Sequence, residues 1–111
     1  NKARLMQRQL IKEFDQAFQG CDLLLTPTTP SIAFKLGERT GVPVRMYAND
    51  TCTVPVNIAG LPAISVPCGT HAGMPVGLQL IGPGFSEQRL LNTAYCYQNI
   101  VGGFRCIPDH I

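Results

Sequence analysis

Charged side chains are scarce in this chain: they make up 14% of its 111 residues, where about a quarter is usual for a free-standing domain. A small globule has much surface for its volume and needs polar groups to cover it. The hydrophobic share is 45%, so a core can form. The length suits one small domain. The shortage of charge therefore implies that part of the surface is covered by something outside these residues.

Other features are missing too, and each absence excludes a class. Four basic against two acidic residues fall in the first twenty, which leaves five against five in the rest. There is thus no basic stripe of the kind that binds nucleic acid; the charges near Lys2, Arg4, Arg8 and Lys12 read as the solvated face of a helix. No apolar run approaches the roughly 18 residues of a membrane helix, and the N-terminus lacks a signal-peptide layout. The cysteines number five: an odd, scattered set that fits reduced thiols in a cytoplasmic protein. The glycines at 60, 69, 73, 77, 82 and 84 form no phosphate loop and precede no Lys-Ser or Lys-Thr pair. No serine stands in a nucleophile elbow, no carboxylates are paired, and there is no repeat or low-complexity tract. No cofactor is expected.

What is present reads as helix, strand, loop, helix, two strands, helix. Ala3, Met6, Leu10, Phe14, Ala17 and Phe18 recur at spacings of three and four, one face of a helix over 3–18. Gly20 is expected as its left-handed cap. Asp22 to Thr26 reads as a strand buried on both faces, stopped by Pro27 and Pro30. Residues 31–45 read as a surface loop. Asn49 and Asp50 are good N-cap types and Gly60 a good stop, so a short helix is expected from about Thr51 to Ala59, kinked at Pro55. Ala63–Cys68 and Val76–Ile81 are two strands joined through Gly69–Gly73. Ser86 caps a last helix, whose buried stripe is Leu90, Leu91, Ala94, Tyr97 and Val101 and which ends at Gly102-Gly103. Residues 104–111 read as a loose tail.

The candidate chemistry is thin. Cys68-x-x-His71 and Cys106-x-x-x-His110 supply two cysteines and two histidines, the number that a structural zinc takes. A hairpin and a tail hold them, so chance juxtaposition is the better account and no metal is expected. Cys68 beside His71 could make a thiolate–imidazole pair. At the end of a buried strand, though, cysteine is more simply a small packing residue. Asp50 is a lone carboxylate at a helix start. It reads as an N-cap worth about 1 kcal/mol, or as a carboxylate facing a ligand's ammonium group.

Several runs, in order, resemble the amidase signature family, and within it the A subunits of glutamyl-tRNA(Gln) amidotransferases. They are Asp22-Leu-Leu-Leu-Thr-Pro-Thr-Thr-Pro30, Met46-Tyr-Ala-Asn-Asp50, Thr53 through Gly69, and Gly73-Met-Pro-Val-Gly-Leu-Gln-Leu-Ile-Gly82. The resemblance implies an α/β fold, part of an α/β/α sandwich around a mixed sheet, with 1–103 as the C-terminal part of an amidase signature domain. It implies amide hydrolysis by a serine, a second serine and a lysine. The glycine- and serine-rich segment that carries both serines has no counterpart here, so no catalytic residue is expected in this chain. It implies that Asp50 binds the α-amino group of substrate glutamine. It also implies B and C subunits as partners, with no direct contact to nucleic acid or membrane. Asn1 at the first position reads as an internal start. Two other readings stand beside this one. The chain is part of a general small-amide amidase, or it is a non-catalytic module that completes a partner's sheet, where an exposed edge invites self-association.

Overall fold

A computed structural model of the chain describes residues 1–37 and 47–102. Its helices are α1 (Lys2–Phe18), α2 (Val54–Ala59) and α3 (Glu87–Val101), and its strands are β1 (Leu24–Pro27), β2 (Ala63–His71) and β3 (Met74–Ile81). Among the described residues the strands form one sheet in the order β1-β3-β2, antiparallel throughout. The residues after 102, which include Cys106, His110 and the expected tail, lie outside the described part, as do 38–45 of the expected loop and Met46.

β2 and β3 are the spine. Ala72 and Gly73 both take positive φ, 51° and 76°, the handedness that a two-residue hairpin turn needs. The strands consequently run longer than expected, and the connection between them shrinks from residues 69–75 to Ala72 and Gly73. Ile64 stands opposite Leu80 and Val66 opposite Leu78, so these four side chains share one face. A register shift between Pro67 and Gly69 puts a bulge at Cys68.

Helix α3 covers that face. Leu90 and Ala94 pack on Val66 and Leu80, with Leu23, Ile64, Leu78 and Tyr97 around them. Burying each large side chain contributes roughly 1.5–3 kcal/mol. The expected stripe is too wide: Leu91 is 60% exposed, and Val101 is exposed as well. One residue further round the helix than Leu90, Leu91 sits at the margin of the contact, bordering β2 near Ile64 without entering the core. Ser86 does occupy the N-cap position, but its hydroxyl donates to the Pro83 carbonyl (2.6 Å) and makes no cap bond.

β1 is not the doubly buried strand expected. Among the described residues it pairs only with β3, its exposure alternates along its length, and Leu25 is 65% exposed. It therefore lies at the edge of the described sheet, outside the cluster that α3 covers. Pro27 ends it from within, tolerable at an edge where its missing N–H breaks no ladder.

α1 begins with the Asn1 carboxamide oxygen accepting from the Ala3 N–H at 3.0 Å. Leu10, Phe14 and Phe18 are its half-buried residues, and it leans on α2, where the Gln7 amide donates to the Ile58 carbonyl at 2.9 Å. Its end departs from expectation. Gln19 is the cap, right-handed at φ −68°, and the Gln19 and Gly20 N–H groups bond back three residues, to Gln16 and Ala17. Such a tightened last turn satisfies the orphan carbonyls without a left-handed glycine.

α2 is shorter than expected. Its N-cap is Thr53, so Pro55 falls in the first turn, where a missing N–H costs nothing and no kink follows. Gly60 closes it at φ 70°, with the Leu61 N–H reaching back to the Val56 carbonyl at 3.1 Å.

Candidate functional site

The face of the sheet turned away from α3 is polar at its centre. Side chains alternate along a strand, so Thr26, Ser65 and Gln79 form a row across β1, β2 and β3 in register. Thr28 follows β1 on the same side. Its hydroxyl lies 2.5 Å from that of Ser65, and its backbone N–H bonds the Gly77 carbonyl at 3.0 Å. The Gln79 amide donates to the Thr26 hydroxyl (3.0 Å) and to the backbone carbonyl of Cys52 (2.9 Å).

That last bond brings the turn carrying Asp50 onto this face. From Tyr47 to Val54 the backbone is a succession of short hydrogen-bonded turns. The Asp50 N–H bonds the Tyr47 carbonyl, and the Asp50 carbonyl accepts from the N–H groups of Thr53 (3.1 Å) and Val54 (3.0 Å). The Thr51 hydroxyl donates to the Ala48 carbonyl. Beside Asp50, the Asn49 side-chain oxygen accepts from the Ser31 hydroxyl at 3.1 Å. Asp50 itself is exposed. Since Thr53 is the N-cap, the plain helix-cap reading of Asp50 does not describe its place: its carbonyl, rather than its carboxylate, feeds the first turn of α2.

Ser31 also lines a cleft of about 310 Å³, bounded by Thr29 and Ile32 on one side and by His71, Pro75 and Val76 on the other. The cleft is mainly apolar, with hydroxyls and one imidazole at its margin. Cys68 is not among its walls. The Cys68 thiol, half-buried at the bulge, lies 3.5 Å from the Val76 carbonyl, and among the described residues no hydrogen bond joins it to His71. Cys21, Cys52, Cys68 and Cys96 are free thiols. Among the described residues no group of three or more ligating side chains comes together to hold a metal, and no helix is long and apolar enough to cross a membrane.

Hydroxyls and one exposed carboxylate can bind and orient a polar ligand, while the buried Gln79 amide is spent on its protein partners. Among the described residues they provide no nucleophile held against a base.

A family model described as Amidase matches residues 1–91. The chain belongs to the Amidase family. It is 56% identical over 98 residues to the A subunit of glutamyl-tRNA(Gln) amidotransferase from Caldanaerobacter subterraneus subsp. tengcongensis, a match that covers 87% of this chain and 20% of the relative. It is 52% identical over 108 residues to the corresponding protein of Moorella thermoacetica, covering 97% of this chain and 22% of that protein. The crystal structure of the A subunit of glutamyl-tRNA(Gln) amidotransferase from Thermotoga maritima superposes with a TM-score of 0.77 at 43% identity, over 81% of this chain and 20% of that one. Allophanate hydrolase of Kluyveromyces lactis gives a TM-score of 0.75 at 30% identity, over 87% and 16%. The chain thus spans about a fifth of the length of the relatives it matches. Its fold is the α/β fold of amidase signature enzymes, as the resemblance implied.

Sequence reasoning singles out Asp50 and passes over Gln79, Thr28 and Ser65. A signal for Gln79 is there: it is the one polar side chain inside the apolar run Val76-Gly-Leu-Gln-Leu-Ile81. The Thr28–Ser65 contact joins residues far apart in sequence, and no local pattern announces it.

Proposed function

We propose that the chain is a segment of an amidotransferase's A subunit, which hydrolyses glutamine to supply ammonia for Gln-tRNA(Gln) formation, and that Asp50 binds the substrate's α-ammonium group. The observation that carries the reading is the Asp50 turn. In a chain about half identical to such proteins, an exposed carboxylate stands on a backbone fixed by successive hydrogen bonds over a polar sheet face. A carboxylate so held binds an ammonium group by charge-assisted hydrogen bonds without first having to be ordered. The serine–serine–lysine set implied by the resemblance has no counterpart in this sequence, so we place the bond-breaking step elsewhere in the protein, with B and C subunits as partners.

The test is Asp50→Ala in the intact protein that carries this segment, assayed on glutamine and on glutaramate, the same amide without the amino group. KM for glutamine should rise about 10- to 100-fold, the loss of one charge-assisted bond of roughly 1.5–3 kcal/mol. Glutaramate hydrolysis should stay the same. An unchanged glutamine KM would refute the role of Asp50. A preference for glutaramate and other small amides in the unsubstituted protein would instead favour a general amidase, the reading to which the likeness to an allophanate hydrolase leans.

A further inference from the structure

Gln79 is 5% exposed, the buried polar side chain among the described residues. An amide placed there gives up its water, which costs free energy unless protein groups replace it. Both replacements are visible. One N–H goes to the Thr26 hydroxyl and the other to the Cys52 carbonyl. A carbonyl oxygen can only accept, so it must be the amide nitrogen that faces Cys52. The Thr26 hydroxyl spends its own proton on the Pro27 carbonyl (2.9 Å), which leaves its lone pairs for Gln79.

Cys52 lies two residues beyond Asp50, and the intervening backbone is stiff. The Asp50 carbonyl is tied to Thr53 and Val54, and Thr51 is tied to Ala48. A displacement of the Cys52 carbonyl would therefore carry Asp50 with it. The Gln79 bond reaches the turn from the central strand of the described sheet, whereas the Ser31–Asn49 bond reaches it from the loop after β1.

We infer that Gln79 is a positioning residue: its buried amide holds the Asp50 turn at a fixed height over the sheet, and so sets the enzyme's discrimination for substrates with an α-ammonium group. This rests on the reading of Asp50 proposed above. Gln79 touches no reacting atom in it.

The test uses Gln79→Leu, Gln79→Glu and Thr26→Val in the intact protein, with two readouts. The first is amide hydrogen exchange. Exchange at Thr53 and Val54 should speed up about tenfold, as one net hydrogen bond is lost, while Leu78 and Leu80 on the hairpin stay as they were. The second is kinetic. KM for glutamine should rise about tenfold, with kcat on glutaramate unchanged, and Gln79→Leu added to Asp50→Ala should cause little further loss. Uniform change across the hairpin and the turn, or none at Thr53 and Val54, overturns the positioning role. Faster exchange with an unaltered glutamine KM, in a protein that does respond to Asp50→Ala, overturns the link to substrate. If Asp50→Ala leaves KM unaltered, the glutamine-binding reading falls by itself, and the exchange ratio still decides whether Gln79 holds the turn. Should Gln79→Leu fail to fold, Thr26→Val, which removes only the partner that orients the amide, decides by the same ratio.

Discussion

Thr28 and Ser65 lie on opposite sides of β3, and their hydroxyl oxygens meet 2.5 Å apart over Gly77. The meeting depends on there being no side chain beneath it. A Cβ at position 77 would come within 2.7 Å of the Thr28 hydroxyl and 2.9 Å of that of Ser65. Neither side chain can retreat freely, because the Thr28 N–H is bonded to the Gly77 carbonyl and Ser65 is fixed in the β2–β3 ladder. Gly77→Ala should therefore part the two hydroxyls and lower stability by about 1–3 kcal/mol, the usual cost of overpacking. Denaturant unfolding should show a lower midpoint at unchanged slope.

Leu80 ties the sheet to α3, packed with Val66 against Leu90 and Ala94. Its neighbours stand on separate elements, so they cannot close together around a missing side chain. Leu80→Ala should cost about 2–5 kcal/mol, transfer and cavity combined. The same unfolding measurement checks it, and a loss well below that range would mean that the cluster is not the core of this part of the protein.

How far these positions can be read from sequence depends on where their reasons lie. The period of α1, the apolar runs of β2 and β3 and the glycine stops at Gly60 and Gly102 are local, and the structure has them where the pattern puts them. The start of α2 is misplaced by sequence because Asn49 and Asp50 are good cap types. Pro55 decides the matter, since a proline is best accommodated in the first turn. The exposure of Leu91 and the edge position of β1 depend on which neighbour covers which face, and that is not encoded in the segment itself. The same holds for the site. Asp50 stands out through resemblance, whereas the bonds from Gln79 to Thr26 and Cys52 span 53 and 27 residues and leave no periodic trace.

Gly60 is a sharper test of local strain. It sits at φ 70°, with open space where a Cβ would project, so any effect of Gly60→Ala comes from the backbone alone. The left-handed conformation costs an L-residue roughly 1–2 kcal/mol, and stability should drop by about that much. Gly60→Asn, a residue that tolerates this region, should recover much of the loss. Comparing the two unfolding midpoints separates strain from crowding, since crowding would penalise the larger asparagine more.

Asp22 and Arg89 form an ion pair at 3.8 Å, with their side chains 90% and 56% exposed. Their placement, before β1 and in the first turn of α3, makes the pair look like a clasp between the sheet and its covering helix. Magnitudes argue otherwise. Exposed pairs contribute about 0–1 kcal/mol, because water screens the attraction and two long side chains lose freedom in making it. The distance is also too long for a good hydrogen bond. Asp22→Asn should therefore change stability by no more than about 0.5 kcal/mol, and raising the salt to about 1 M should erase what difference there is. A larger, salt-resistant loss would mean that the carboxylate is held in a less exposed setting than the surface pair seen here.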